Sequence, residues 1–187
     1  MVPLGSLWLP IILSAVIVFF AAFALHTIVP HHRTDYSKAP DEEALLEALR
    51  SQGIGRGQYH FPHVSSPAEM KDPAYVEKAE RGPMGLLYVM EPTVGPSGKQ
   101  LGLYFVYCVG VSVFAGYLAG ATLPAGAAYL SVFRVVGTAA ILGYAGALFS
   151  DAIWFGHTWS STWKHVIDGV IYGLLTAGTF GWLWPAV

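Results

Sequence analysis

The chain has 187 residues, of which 54% are hydrophobic and only 12% are charged. Soluble domains carry about 25% charged residues, so this composition excludes an ordinary soluble globular protein. A formal net charge of −2 provides no basic surface for nucleic acid, and the single cysteine, Cys108, excludes an internal disulfide.

The charges are concentrated in one segment. Eight of the ten Lys and Arg, and ten of the twelve Asp and Glu, lie between Arg33 and Lys99. Long apolar segments flank this region on both sides. The pattern predicts an all-α integral membrane protein whose membrane helices surround one polar insert.

The first span is predicted at residues 7–25, which are apolar apart from Ser14. These residues are close to the ~20 that cross ~30 Å of hydrocarbon. A cleaved signal peptide is the alternative, because residues 22–24 resemble a cleavage site. No Lys or Arg precedes the segment, so the positively charged start of a signal peptide is missing.

Three more spans are predicted, with a tight turn at Pro124 and a loop of roughly a dozen residues before the last span. These spans are residues 101–123, 125–149 and 163–184. The prediction is therefore four transmembrane helices in three regions. The regions are the first helix (1–30), a polar insert (31–100) and a three-helix bundle (101–187).

The insert is predicted to be a small, mainly helical cap. Asp41-Glu42-Glu43 opens one amphipathic helix, and Asp72-Pro73 opens another. Ser66 and Glu69 fit a helix-capping box, and residues 85–90 form either a strand or an interfacial stretch. The apolar content is too small for a large independent core, so we expect the insert to rest on the helices or on a partner.

Basic residues near the span ends predict the orientation. Arg33, Lys38, Lys99 and Lys164 all fall on the side of the insert, and the short segments on the other side carry no basic residue. We therefore expect a bacterial inner-membrane protein with a cytoplasmic insert and both termini outside.

Glycines recur at helical spacing in the last three predicted spans. Small residues let helix backbones approach closely, so these positions predict packing within the bundle or a docking face for another subunit. The glycines concerned are Gly116, Gly120, Gly137, Gly143, Gly169 and Gly173.

Two charges lie inside predicted spans, Arg134 and Asp168. An intramembrane charge is a functional-site hypothesis, and the two could pair. Snorkelling of each side chain to its nearer surface is the alternative, because the residues lie toward opposite ends of their helices.

All seven histidines fall on the side of the insert. His31 and His32 follow the first span, while His157 and His165 flank the start of the fourth. Imidazoles near carboxylates suit zinc, iron or copper, so these four residues are a candidate metal site. The alternative is that they are ordinary polar residues at the membrane edge.

No P-loop, dinucleotide-binding glycine motif, nucleophile elbow or HExxH motif is present, and the sequence identifies no cofactor. The first hypothesis is an accessory subunit that packs against a larger membrane complex of the respiratory or photosynthetic type. The second is a metal-dependent membrane enzyme, and the third is a small homo-oligomeric channel or transporter. The expected partners are membrane lipids and other membrane subunits.

Overall fold

The computed structural model describes residues 1–186. Val187, the last residue of the predicted bundle, lies outside the described residues. The helices are α1 (Trp8–Thr27), α2 (Glu42–Ser51), α3 (Pro73–Arg81), α4 (Gly98–Thr122), α5 (Tyr129–Ala145), α6 (Leu148–Phe155) and α7 (Trp159–Trp182), and the strands are β1 (Gly57–Phe61) and β2 (Gly85–Val89).

The chain forms two compact units. The helical unit combines Met1–Tyr36 with the chain from Gly95 onward, and the insert unit is Ser37–Val94.

The protein is mostly helical, and three segments are long and apolar enough to cross a membrane. Within residues 1–186 these segments are Leu4–Thr27, Gly98–Thr122 and Tyr129–Phe155. They support a multi-pass membrane protein. The predicted fourth span corresponds to α7, which has 24 residues. Lys164, His165 and Asp168 lower the mean hydropathy of its first half.

The region of the third predicted span differs from the expectation of one helix over residues 125–149. A turn containing Gly126, at φ +72°, delays the start of α5 to Tyr129. The helix is interrupted after Ala145 and resumes as α6. The expected loop before the last span is consequently mostly helical, because α6 contains Asp151 and Trp154.

Helix α4 begins at Gly98, three residues before the predicted span. Ser97 and Gln100 form a capping box: the backbone N–H of Ser97 donates to Gln100 Oε1 at 2.7 Å, and the N–H of Gln100 donates to Ser97 Oγ at 3.3 Å. This pairing satisfies two free N–H groups at the helix start.

The insert unit contains a two-stranded antiparallel sheet in addition to its helices. Asp41 caps α2 by accepting from the N–H of Ala44 at 3.0 Å, and Asp72 caps α3 through the N–H of Ala74 at 2.8 Å. Residues 85–90 contain β2, which pairs antiparallel with β1. The capping residues Ser66 and Glu69 precede only a single 3₁₀ turn, so the unit is a mixture of helix and strand.

None of residues 37–94, all of which the structure describes, is buried. Apolar side chains such as Leu45, Phe61 and Met84 remain exposed. A unit without a buried core gains little hydrophobic stabilisation from its own packing.

Small residues bring the helices of the helical unit together. Helix α7 packs against α5 and α1, and α4 packs against α1 and α5. The hydroxyls of Ser14 and Ser112 lie 3.0 Å apart between α1 and α4. A hydrogen bond of this kind stabilises a helix contact in lipid by about 1 kcal/mol.

All six singled-out glycines face other parts of the helical unit. Gly116 faces the ring of Phe180 and Gly120 the backbone of Val2. Gly137 faces Ala177, Gly143 faces Val111, Gly169 faces Ala145, and Gly173 faces the backbone of Ile141. All six contacts lie within the chain. They agree with packing within the bundle, the first of the two alternatives given for these glycines.

We expect Gly173→Ala to lower the thermal midpoint of the purified protein in detergent. The added Cβ would lie 2.9 Å from the backbone nitrogen of Ile141, which cannot move without shifting α5. Overpacking of this kind costs about 1–3 kcal/mol. Gly102→Ala on α4 is the matched control, since a Cβ there meets nothing within 4 Å. Equal midpoints for the two variants would contradict the close α5–α7 contact.

Candidate metal centre

Three segments of the helical unit meet at one point: the last turn of α1, the 3₁₀ turn Pro30–Thr34 and the first half of α7. Val29 is extended, and Pro30 begins the turn. Proline has no N–H to continue the hydrogen bonds of α1, so the chain leaves the helix here. The turn carries His31 and His32 to α7.

The buried carboxylate of Asp168 lies at the centre of this meeting point, with only 2% of the residue exposed. The Nε2 atoms of His31 and His32 lie 3.1 Å and 2.7 Å from its two oxygens. His26 Nε2 lies 3.6 Å from Asp168 Oδ2. A buried carboxylate requires such partners, because leaving it unpaired costs several kcal/mol.

A second carboxylate, Asp35, lies on the other side of His32. Its Oδ2 is 2.6 Å from His32 Nδ1, and its Oδ1 accepts from Lys164 Nζ at 2.7 Å. Burial opposes ionisation of Asp35, but hydrogen bonds from Lys164 and His32 outweigh it and lower its pKa to about 2. Burial likewise opposes charging of His32, yet the bonds to Asp35 and Asp168 raise its pKa.

The imidazole rings are in contact with one another. The ring centroids of His26 and His32 are 4.1 Å apart, those of His31 and His32 3.9 Å, and those of His32 and His165 4.7 Å. Asp35 and Asp168 bring two negative charges to the cluster, and Lys164 brings one positive charge. Protonation of His32, which its raised pKa favours, balances the remaining negative charge, so a divalent cation would have to displace that proton.

Four side chains have the arrangement of a metal centre. His26, His32, His165 and Asp168 each offer one ligand atom, and these atoms lie within 4.8 Å of one another. Tetrahedral zinc with bonds of about 2.0–2.1 Å separates its ligands by roughly 3.3 Å. The widest pairs must therefore approach to bind a metal, whereas His32 Nε2 and Asp168 Oδ2, which are 2.7 Å apart, must separate. Three imidazoles and one carboxylate suit Zn²⁺ or Fe²⁺.

The four histidines of the sequence-based metal site have different positions. His32 and His165 belong to the four-residue group. His31 lies outside that group, and its Nε2 is hydrogen-bonded to Asp168 Oδ1. His157 is exposed in the turn between α6 and α7. His26 was missed because it counted as the end of a span. Its position one helical turn before Pro30 was the available signal in the sequence.

Arg134 and Asp168 do not come together. The contacts of Gly137 with Ala177 and of Gly169 with Ala145 set an antiparallel register between α5 and α7. This register places Arg134 level with Phe180, twelve residues or about 18 Å along α7 from Asp168. Arg134 is exposed, so it lines no path inside the described bundle.

Polar groups continue along α7 beyond Asp168. Tyr172 lies one turn further, and its hydroxyl is buried without a hydrogen-bond partner among residues 1–186; the hydroxyl of Tyr144 on α5 is in the same situation. The two rings pack edge to face with centroids 5.6 Å apart. Both hydroxyls nevertheless have polar neighbours, because Tyr172 interacts with Tyr104, and Tyr144 interacts with Thr176 and Cys108.

Comparison of the chain with protein-family models, with curated proteins and with solved structures found no match. A functional proposal must therefore rest on the chemistry of the residues around Asp168.

Proposed function

We propose that this chain is a multi-pass membrane protein that binds one divalent transition metal, Zn²⁺ or Fe²⁺. His26, His32, His165 and Asp168 are the ligands. The observation that carries the proposal is the convergence of their four ligand atoms, from α1, the following turn and α7, around a buried carboxylate.

The proposal includes α7 as a fourth span. Its 24 residues rise about 36 Å, which is sufficient to cross a bilayer. Asp168 faces the interior, so this charge is not exposed to lipid. The basic residues near the span ends then place the insert and the metal site at the cytoplasmic face of a bacterial inner membrane, with both termini outside.

Cysteine labelling tests this topology. Cys108 is fully buried, so we expect it to stay unlabelled in the folded protein. An impermeant maleimide added to spheroplasts should label Ala186→Cys but should label Glu80→Cys only after lysis. Labelling of neither position before lysis would show that α7 does not cross, leaving three spans.

Metal analysis tests the site. The purified protein, supplied with Zn²⁺ or Fe²⁺, should hold about one metal ion per chain. The double variant His26→Ala/His165→Ala removes two of four ligands and should lose stoichiometric binding. The matched control is His60→Ala/His63→Ala, because both histidines lie in the insert unit, outside the ligand group.

A wild-type protein that takes up neither metal would contradict the site. Full retention of metal by His26→Ala/His165→Ala would exclude these ligands.

The metal identity separates a structural role from the metal-dependent enzyme hypothesis. Four protein ligands complete a tetrahedral Zn²⁺ site, which is the arrangement of structural zinc. Non-haem iron acts through positions that the protein leaves open.

An accessory subunit is the second candidate function, and the insert unit favours it. That unit has exposed apolar side chains and no buried residue of its own in residues 37–94. Its nine acidic and six basic residues disfavour adsorption to an anionic membrane surface. A protein partner would bury the apolar face. The glycines do not contribute to this argument, because they pack inside the chain.

Purification from the native membrane in mild detergent tests the subunit function. We expect a larger membrane complex to co-purify in fixed stoichiometry. Leu45→Asn/Leu46→Asn should release it, since both side chains lie exposed on α2, and should leave the metal content unchanged. Glu43→Gln on the same helix is the control. A protein that purifies alone, or a complex that the leucine variant leaves intact, would exclude this role for α2.

A further inference from the structure

We propose that Asp35, held by Lys164, is the positioning residue of the metal site. It determines which nitrogen of His32 binds the metal. This inference rests on the proposed metal function and assigns a role to a carboxylate outside the four ligands.

The two nitrogens of His32 face two different carboxylates. Nδ1 lies 2.6 Å from Asp35 Oδ2, and Nε2 lies 2.7 Å from Asp168 Oδ2. Asp168 belongs to the ligand group and Asp35 does not. Nε2 therefore points to the metal position, and Nδ1 points away from it.

A metal-binding imidazole needs a free electron pair on one nitrogen, and a proton on the other nitrogen selects that tautomer. Asp35 accepts the Nδ1–H of His32, which leaves Nε2 free for the metal. The same hydrogen bond fixes the ring orientation and raises the basicity of the ligand nitrogen.

Asp35 is itself held in place. Its side chain is 3% exposed, and its Oδ1 accepts from Lys164 Nζ at 2.7 Å. Its Oδ2 lies 2.6 Å from His32 Nδ1 and, less closely, 3.6 Å from His165 Nε2. Lys164 Nζ also donates to Thr34 Oγ1 at 2.8 Å. The ammonium compensates the charge of Asp35, so this carboxylate does not compete with Asp168 for the metal.

The pair also joins the two halves of the site. Asp35 follows the turn that carries His32, whereas Lys164 precedes the ligand His165 on α7. The Lys164–Asp35 bond consequently sets the distance between ligands that come from distant parts of the sequence.

The test uses the full-length protein in detergent, with Zn²⁺ affinity measured by chelator competition and Co²⁺ as the spectroscopic probe. Asp35→Asn keeps the size of the side chain and removes the carboxylate. We expect it to weaken Zn²⁺ binding 10–100-fold, the loss typical of such partners of a ligand histidine. The visible d–d absorption of bound Co²⁺ should shift, because the orientation of His32 changes.

Two variants separate positioning from a general structural effect. Thr34→Val removes one hydrogen bond from Lys164 but leaves the His32–Asp35 bond, so its affinity and Co²⁺ spectrum should match the wild type. Asp35→Glu keeps a carboxylate and should recover part of the affinity that Asp35→Asn loses.

Wild-type affinity together with a wild-type Co²⁺ spectrum in Asp35→Asn would overturn the inference and leave the metal site intact. A wild-type protein that binds no metal would overturn the proposed function as well. If Asp35→Asn does not yield folded protein, Lys164→Gln decides. It frees Asp35 Oδ1, and unchanged affinity and spectrum in that variant would overturn the positioning role.

Discussion

The burial of the Asp168 carboxylate is the constraint on which the rest of the helical unit depends. An ionised group in a low-dielectric interior is tolerated only if paired and hydrogen-bonded. The pairing groups come from the end of α1 and from the turn after it, so α1 must stop where it does and the chain must fold back toward α7. The proline at the start of that turn and the polar first half of α7 serve this requirement.

Close helix packing and the polar cluster are parts of one arrangement. Gly169 follows Asp168 directly, and its contact with Ala145 fixes the height of the carboxylate against α5. A larger residue at position 169 would move α7 away from α5 and carry Asp168 away from its imidazoles. The glycines of α7 thus help to position Asp168, although Asp168 itself takes no part in the contacts that the glycines make. Small residues in membrane helices promote helix association, and here they also position a polar cluster.

Local patterns predicted the helical class, three approximate spans and the helix starts at Asp41 and Asp72, because apolar length and the residues of a first helical turn are local properties. The break after Ala145 and the pairing of β1 with β2 were not predicted, since both depend on contacts outside the local window. The metal group was predicted only in part. His31 and Asp168 are 137 residues apart, and no periodicity reports such a distance. The possible pairing of Arg134 with Asp168 is not found in the structure for a related reason. The register of α5 and α7 depends on glycine contacts between the two helices, which a local sequence pattern does not reveal.

The separation of the site along the chain has a consequence for biosynthesis. The residues from His26 to Asp35 leave the ribosome early, whereas Lys164 to Asp168 follow some 137 residues later. At 5–20 residues per second the delay is roughly 7–27 s. During that interval the histidines of the nascent chain have no carboxylate from α7, so the cluster around Asp168 forms only after α7 has been synthesised.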